Sequence, residues 1–345
     1  MKPRLAFIDH SFHKKTRSTY FLRDVLAKDF ELLNIWDESW QHNKGISAEE
    51  INRIDCEYVL FFQILPTINE LKKINHKIIW APMYDPCFLY GNAIWLELSA
   101  LPIKIISFSK SLSKKLKKYK LDVLEVQYYF NPSDFKFKKL KNNNSSISIF
   151  FWQRGSVKFK KIKKLLTGLK INQMTIKNSP DPGFGELQLS KEEIRRYNIT
   201  IVKGHVSKEE YLKMVEGSDV FIAPRSLEGI GMSFLEPMAM GKVVIAMNHP
   251  TMNEYIKSGF NGFLYNPLFP KKIRMDDLVK IGSEARKTTE KGYADWTRNS
   301  AEIASFIQSK YQSRDLGEYR LFIRKFLDKP YVFIKTVYIE FVTRF

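Results

Sequence analysis

The chain has 345 residues, which at about 100 to 200 residues per domain predicts two domains. Hydrophobic residues make up 44% and charged residues 27%, which is ordinary globular usage and excludes a disordered, collagenous or disulfide-stapled chain. Lysine and arginine number 56 against 37 acidic residues, and the resulting net charge of +19 predicts an anionic partner: a phosphate, a nucleic acid or a membrane surface.

The cellular compartment is indicated by the cysteines and by the apolar runs. Cys56 and Cys87 cannot build a disulfide framework, which favours a reducing compartment. The N-terminus reaches an acid at Asp9, too early for the apolar core of a signal peptide. Apolar runs such as 58–65 are far shorter than a spanning helix requires. We therefore expect a cytoplasmic protein whose membrane contact is at most peripheral, on the cytoplasmic face of the inner membrane.

The first half alternates short β-branched or aromatic runs with helical stretches. The predicted strands are Leu5–Ile8, Tyr58–Phe62, Lys77–Trp80, Lys104–Phe108 and Val123–Val126, and the predicted helices are Thr19–Phe30 and Lys110–Tyr119. This alternation is typical of a doubly wound parallel sheet. A polar run at 136–146 predicts a linker, so we place the first domain at residues 1–141.

The second half restarts the same pattern. Its predicted strands are 147–152, 174–177, 199–202, 219–223 and 243–247, and its predicted helices are 160–169, 207–216 and 235–240. Ser207 and Glu210 have the spacing of a capping box, and Gly241 suits the end of a helix. We place the second domain at 147–312 and expect the helical remainder, 313–345, to pack back on the first domain.

The most informative stretch, residues 223–241, lies where a buried strand ends and a helix begins. Ligands of open α/β sheets bind at that edge, where a helix N-terminus offers unpaired N–H groups to a phosphate. Gly229 and Gly231 let the backbone approach a ligand, and Glu228 and Glu236 place carboxylates on either side. Carboxylates accept hydrogen bonds from neighbouring hydroxyls of a ribose or a sugar. The pattern favours a nucleotide sugar; the alternative is a solvated Glu228 and a helix-surface Glu236.

Residues 200–267 resemble the C-terminal domain of glycosyltransferase family 4, retaining nucleotide-sugar enzymes of GT-B architecture. Besides the Glu228 and Glu236 spacing, the shared motifs are Gly204-His205-Val206-Ser207, Asp219-Val220-Phe221, 241–246, 253–259 and 261–267. The resemblance implies an α/β fold of two Rossmann-like domains, with parallel sheets facing across a cleft and a helical C-terminal extension.

The resemblance also implies roles for individual residues of the second domain. Glu236 is expected to hold the ribose hydroxyls, and Glu228 to face the donor sugar ring. We call residues 229–232 the glycine loop, and the amides of Ile230, Gly231 and Met232 in it are expected to contact the terminal phosphate. The remaining expected donor contacts are Gly229, Ile230, Gly231, Met232 and Val206.

The family also places an arginine and a lysine after the first strand of this domain, where they neutralise the leaving diphosphate. Here Arg154 matches the arginine and Lys160 or Lys158 the lysine, although Gly155 follows the arginine instead of preceding it. Fixed cations stabilise the charge that develops on oxygen when the sugar leaves the diphosphate, and arginine does so bidentately. The alternative is that the lysines of 158–164 form a solvated helix face.

Nothing in the sequence indicates a metal or a cofactor. No Asp-x-Asp motif occurs, and the six histidines lack metal-ligand spacing. A Walker loop and the Gly-x-Ser-x-Gly elbow of hydrolases are also missing. We therefore expect a metal-independent enzyme whose nucleotide sugar is a co-substrate.

The loop after the first strand carries histidines and cations where the family usually has glycines. His10, His13 and Arg17 are candidates for binding the acceptor or a phosphate, although a capped helix start explains much of the pattern. Retaining relatives often carry a histidine near the primary hydroxyl of the sugar, after a later strand. Asp85 or Tyr84 is the candidate there, and a proline-bounded turn is the alternative.

Two further segments suggest a surface partner. Residues 103–120 contain seven lysines and no acid, with apolar residues at helical spacing, which is typical of a helix on anionic lipid or of an ordinary surface helix. The aromatic tail, 331–341, is expected to dock on the first domain or to contact lipid or a partner.

The sequence thus predicts a retaining, hexosyl-type glycosyltransferase that acts on a glycan or lipid-linked acceptor, and its relatives favour bacterial surface polysaccharide or lipopolysaccharide synthesis. The rivals are a nucleotide-sugar epimerase or phosphorylase-like enzyme of the same fold, and a non-catalytic protein that binds membrane or nucleic acid. Because the sequence contains no recognised nucleic-acid module, we expect no nucleic-acid partner.

Overall fold

The computed structural model describes residues 1–39, 45–140, 146–204, 206–312 and 318–344, with side chains described from 328 to 343 in the last range. These residues form two compact units: Met1–Gln127 with Trp296–Lys335, and Tyr128–Asp295 with Thr336–Phe345. Of the linker expected at 136–146, residues 141–145 lie outside the described residues.

Each unit is built on a parallel sheet, which in the described part of the chain has six strands. In the first unit the spatial order is β2-β1-β3-β4-β5-β6. In the second unit it is β12-β11-β10-β7-β8-β9. The strands are β1 (Arg4–His10), β2 (Glu31–Asp37), β3 (Tyr58–Phe62), β4 (Lys77–Ala81), β5 (Ile103–Ser107), β6 (Asp122–Glu125), β7 (Ile147–Gln153), β8 (Ile171–Asn178), β9 (Ile199–Lys203), β10 (Val220–Ile222), β11 (Val243–Met247) and β12 (Phe263–Tyr265).

Helices connect the strands and continue beyond the second sheet. They are α1 (Phe12–Thr16), α2 (Tyr20–Leu26), α3 (Ala48–Asn52), α4 (Ile68–Leu71), α5 (Tyr84–Cys87), α6 (Asn92–Ser99), α7 (Lys110–Lys118), α8 (Phe159–Leu165), α9 (Lys191–Arg196), α10 (Lys208–Glu216), α11 (Met232–Ala239), α12 (Met252–Tyr255), α13 (Leu278–Ser300), α14 (Glu302–Gln308) and α15 (Glu318–Arg344). No helix in the described ranges combines the length and the apolar character needed to cross a bilayer.

The central strands follow from their composition. Strands β3, β5, β10 and β11 are buried along their whole length, as expected for β-branched and aromatic runs covered by helices on both faces of a parallel sheet. The two parallel sheets and the helical C-terminal extension confirm the predicted fold class.

Local signals placed several helices correctly. The capping box of Ser207 and Glu210 is present, and the helix that it opens ends at Glu216 as predicted. Gly241 takes a left-handed φ of 74° just after α11. The helix predicted at Thr19–Phe30 is shorter, Tyr20–Leu26.

Two strands were missed, and each lies at a sheet edge. Strand β2 is at least partly exposed from Glu31 to Trp36, and β12 has only three residues. Asn34 interrupts the apolar residues of β2, and β12 is only three residues long, so neither has the long apolar run that marks a buried parallel strand.

Candidate active site

The strand order of the second sheet locates a binding crevice. Counted outward from β7, the chain adds β8 and β9 on one side and then returns to add β10, β11 and β12 on the other. This is the Rossmann order 3-2-1-4-5-6, in which ligands bind at the carboxyl ends of the strands where the order reverses. The reversal lies between β7 and β10, so the loops after Gln153 and Ile222 flank the crevice.

These two loops are joined through one serine. The Oγ of Ser156, in the loop after β7, donates to the carbonyl of Pro224 at 3.4 Å and accepts from the amide of Ser226 at 3.1 Å. The backbone after β10 is therefore fixed relative to the backbone after β7. Ser156 was not singled out in the sequence, because its two partners are about 70 residues away.

Glu228 is buried in the loop after β10 and is held by the helix that follows. Its Oε1 accepts a hydrogen bond from the Ser233 hydroxyl at 2.7 Å, and the residue is 7% exposed. Its other oxygen makes no hydrogen bond within the described ranges. A buried carboxylate with an unused oxygen can accept a ligand hydroxyl.

Glu236 lies on α11, one turn after its first residue, Met232, and is also buried. Its carboxylate forms an ion pair with Lys208 at the start of α10. Burial raises the pKa of Glu236, and the charge of Lys208 opposes the rise. The lysine thus favours the ionised form of a carboxylate that is largely withdrawn from water.

Tyr211 lies near both glutamates, and nothing in the sequence distinguishes it from an ordinary core residue. Its ring packs on Phe150 and Trp152. In the described part of the chain its buried hydroxyl has no hydrogen-bond partner. Burial raises the pKa of Tyr211 well above the ordinary value; the charges of Glu236 and Glu228 raise it further, and that of Arg154 opposes them. Because these three charges act on one ring, they all lie in its neighbourhood.

The glycine loop meets α11 at Gly231, which has a left-handed φ of 86°. A Cβ at this position would lie 2.2 Å from the ring of Phe234, so the turn requires glycine. Gly229 and Ile230 are buried before it, and Met232 is the first helical residue. The sequence-predicted phosphate contacts thus form one continuous stretch of backbone at the N-terminus of α11.

Arg154 shares a carboxylate with a second arginine. Asp181, in the segment after β8, accepts from Arg154 Nη2 at 2.6 Å through Oδ1 and from Arg225 Nη2 at 2.9 Å through Oδ2. One aspartate therefore brings together cations from the loops after β7 and β10. Arg225 lies four residues before Gly229. It is far from Arg154 along the chain, and the fold brings the two arginines to the same aspartate.

The loop between Arg154 and α8 depends on a close contact with the segment that carries Asp181. Gly155 has a φ of 111°, and a Cβ there would lie 2.1 Å from the Phe184 ring. The ring therefore occupies the space that a larger side chain at 155 would need.

The lysines near Arg154 occupy different environments. Lys158 is the N-cap of α8, with its Nζ 5.8 Å from the ring centroid of Phe184, and Lys160 is exposed on that helix. Lys177, at the end of β8, is buried with its Nζ 3.9 Å from the Trp152 ring centroid. Burial lowers the pKa of Lys177, and the nearby charge of Arg154 lowers it further.

Val206 is half-buried just before the N-cap of α10. His205, which belongs to the same sequence motif, lies outside the described residues. Within those residues, no group of three or more histidine, cysteine and acidic side chains could hold a metal ion.

The first unit has its own reversal of strand order, between β1 and β3. Asp9, near the end of β1, is fully buried and accepts hydrogen bonds from Thr19 Oγ1 at 2.8 Å, Arg23 Nη2 at 2.9 Å and His13 Nδ1 at 2.7 Å. His13, in α1, thus has an aspartate partner on the strand that precedes it. At the end of β3, Gln63 has a left-handed φ of 65°, which a non-glycine residue rarely adopts.

The other acceptor-side candidates lie at strand ends in the same unit. His10 ends β1, and its ring centroid lies 5.6 Å from that of His13. Burial lowers the pKa of His10, and His13 lowers it further. Arg17 is exposed after α1, with its guanidinium over the Tyr20 ring. Asp85 is half-buried in α5, which follows β4.

Comparison with known proteins finds a family model that matches part of the chain. The family model described as Glycosyl transferases group 1 matches residues 134–295. No curated protein matches the chain in sequence.

Solved structures share the fold across most of the chain. HepE from Anabaena, in complex with UDP-glucose, is 12% identical with a TM-score of 0.58, over 89% of this chain and 100% of that one. A glycosyltransferase from Rickettsia africae is 16% identical with a TM-score of 0.57, over 90% and 100%. A trehalose-6-phosphate synthase studied for glycosyl transfer with retention is 10% identical with a TM-score of 0.59, over 90% and 100%. At these identities the likeness establishes the GT-B fold alone.

Proposed function

We propose that this chain, which has the GT-B fold and matches the glycosyl transferases group 1 family over residues 134–295, transfers a hexosyl group from a nucleotide sugar to a hydroxyl of an acceptor. One observation carries the proposal. Two buried carboxylates and a pair of arginines surround the loop between β10 and α11, at the reversal of strand order in the second sheet. That combination suits a ligand with hydroxyls at both ends and a diphosphate between them.

The carboxylates are assigned to the two ends of the donor. Glu236, whose ionised form Lys208 favours, accepts the ribose hydroxyls, and Glu228 faces the sugar ring with its unused oxygen. The Tyr211 hydroxyl, which is buried near both, is a further donor to the ligand. The backbone from Gly229 to Met232, with Val206, completes the donor site.

The arginines are assigned to the leaving group. When the bond between the anomeric carbon and the phosphate oxygen breaks, negative charge develops on the diphosphate. Arg154 and Arg225, which Asp181 holds together, are proposed to stabilise that charge without a metal ion. Lys158 or Lys160 remains the family's candidate for an additional cation.

Transfer with retention is part of the proposal and is supported by the family resemblance. In this scheme the acceptor hydroxyl attacks the face that the diphosphate leaves, and its proton passes to the departing phosphate oxygen. Glu228 then acts by position and charge, and no side chain is a nucleophile. The acceptor is proposed to be a glycan or a lipid-linked sugar of surface polysaccharide synthesis, which suits a protein with a net charge of +19.

The first test is a melting experiment with UDP, GDP, ADP, CMP and their sugars, with and without EDTA. A ligand of the folded state raises the melting temperature by mass action. We expect one base to stabilise the protein selectively, and the shift to survive EDTA. Because HepE was crystallised with UDP-glucose, uridine nucleotides come first.

The second step is turnover of the selected nucleotide sugar with glycan acceptors. Release of the nucleoside diphosphate, with the configuration of the product read by nuclear magnetic resonance, tests transfer and retention separately. No stabilisation by any nucleotide would contradict the donor site. Interconversion of sugar nucleotides without transfer would instead establish the epimerase.

A further inference from the structure

The outer face of α7 is strongly basic. The helix buries Leu112 and Leu116 in the core of the first unit, so its opposite side faces solvent. The exposed side chains of this side and of the residues that follow it are Lys110, Lys114, Lys117, Lys118 and Lys120. Lys117 has an acidic neighbour, Glu125, at 3.7 Å.

Residues 328–335 of the C-terminal helix α15 belong to the first unit and are held against it. The carboxylate of Asp328 accepts from the amide of Ala93 at the start of α6, and Lys335 Nζ donates to the carbonyl of Phe88. Lys115, on α7 itself, places its Nζ 5.8 Å from the ring centroid of Tyr331. Residues 328–335 therefore lie next to α7.

This part of α15 presents large apolar side chains to water. Phe333 is 68% exposed and Ile334 is 65% exposed. Exposed apolar side chains that border charged residues mark an interaction surface more often than an ordinary protein exterior.

We propose that the lysines of α7 and the apolar residues of α15 together form a docking surface for an anionic lipid bilayer. Lysines on such a surface gain energy from acidic headgroups, and aromatic and aliphatic side chains enter the boundary between headgroups and acyl chains. A nucleic acid would satisfy the lysines but would leave Phe333 and Ile334 in water. The two segments were separate candidates in the sequence, and the structure places them side by side.

The surface lies outside the donor site, which belongs to the second unit. It goes beyond the proposed reaction, because it places the enzyme on the membrane where a lipid-linked acceptor is held. Its test requires no knowledge of donor or acceptor.

The experiment is sedimentation of the full chain with vesicles of phosphatidylcholine, with and without phosphatidylglycerol. We expect binding only to the anionic vesicles. Replacing two exposed lysines, in K114Q/K118Q, should weaken partitioning by about 25-fold, since each lysine near an acidic surface contributes about 1 kcal/mol. Replacing the apolar pair, in F333S/I334S, should weaken it by about 10-fold because less apolar area enters the bilayer.

Matched variants in the second unit test whether the effect depends on where the lysines and apolar residues lie, and not only on the loss of charge or apolar area. K170Q/K191Q removes the same charge from exposed positions of the second unit, and F269S removes a phenylalanine that is 71% exposed there. Both should bind vesicles like the parent, and all variants should keep its melting temperature and its nucleotide response. Failure of the parent to bind anionic vesicles would overturn the proposal. Full binding by F333S/I334S would also overturn it, because binding would then depend on the lysines alone, as for any polyanion.

Discussion

Glu228 and Glu236 are both buried, yet they have different partners. Glu228 receives one hydrogen bond from a neutral serine, whereas Glu236 is paired with a lysine. A nearby cation favours the ionised form of a carboxylate, and that form accepts hydrogen bonds from hydroxyls. The carboxylate without a cation keeps more of its electrostatic effect for a ligand. The two residues should therefore affect different steps.

We expect E236Q to weaken nucleoside diphosphate binding by roughly 10-fold to 100-fold, because hydrogen bonds to a charged group contribute about 1.5–3 kcal/mol. E228Q should leave nucleotide affinity near that of the parent and lower kcat. Calorimetric titration and turnover measure the two effects. E209Q, at an exposed position of α10, is the control and should change neither. Equal losses of affinity in both variants would contradict the division of roles.

The arginine pair gives a second prediction at this scale. R225A removes one of the two cations on Asp181 and should lower kcat about 100-fold, the usual effect of one group that stabilises transition-state charge. K160A removes an exposed lysine of α8. If the arginines alone stabilise the leaving group, K160A should retain nearly full turnover. A large loss in K160A with little change in R225A would instead support the family's lysine.

At the scale of single elements, substitutions at the start of α11 test whether the turn before this helix requires glycine. G231A places a methyl group in the Phe234 ring at a left-handed φ, and should cost about 2–4 kcal/mol of unfolding free energy and weaken nucleotide binding. Gly168 has the same φ of 86° with no atom within 4 Å of its Cβ position. G168A should therefore cost only the backbone term, about 1 kcal/mol. Urea unfolding of the two variants compares them.

The contact between α7 and α15 gives a pH-dependent prediction. Burial, together with the charge of Lys335, lowers the pKa of Lys115 to about 8. Because the unfolded chain holds this proton up to about pH 10.4, protonated Lys115 destabilises the fold fully below pH 8. The penalty fades as the pH rises from about 8 to about 10.4, where the unfolded chain also loses the proton. K115M should therefore be more stable than the parent by about 1 kcal/mol at pH 7, after allowance for solvent screening.

Urea unfolding at several pH values measures this difference. The advantage of K115M should shrink between pH 8 and pH 10. A constant difference across that range would mean that packing, not charge, separates the two proteins. Lys114, which is exposed on the same helix, gives the control K114M, and its stability should follow that of the parent at every pH.

At the scale of the whole molecule, features formed within one segment of the chain could be predicted from the sequence. Features formed by residues from distant segments could not. The interior strands were recognisable because burial on both faces demands continuous apolar runs, and the Glu228 and Glu236 spacing lies within one loop and one helix. In β2 the apolar residues are interrupted by Asn34, and β12 has only three residues, so neither strand carries a run of that length. Asp181 and Tyr211 could not be assigned to the site, because their partners come from other strands and helices. The separation of Arg225 from Arg154 along the chain hid the pair in the same way.

The contact between Gly155 and Phe184 also bears on how the protein responds to salt. Asp181 lies three residues before Phe184, whose ring fills the space beside Gly155, so van der Waals contact helps to set where this carboxylate holds the two arginines. Dissolved ions screen charges but do not loosen such a contact. Rising ionic strength should therefore reduce the attraction for a diphosphate while the spacing of the guanidinium groups stays the same.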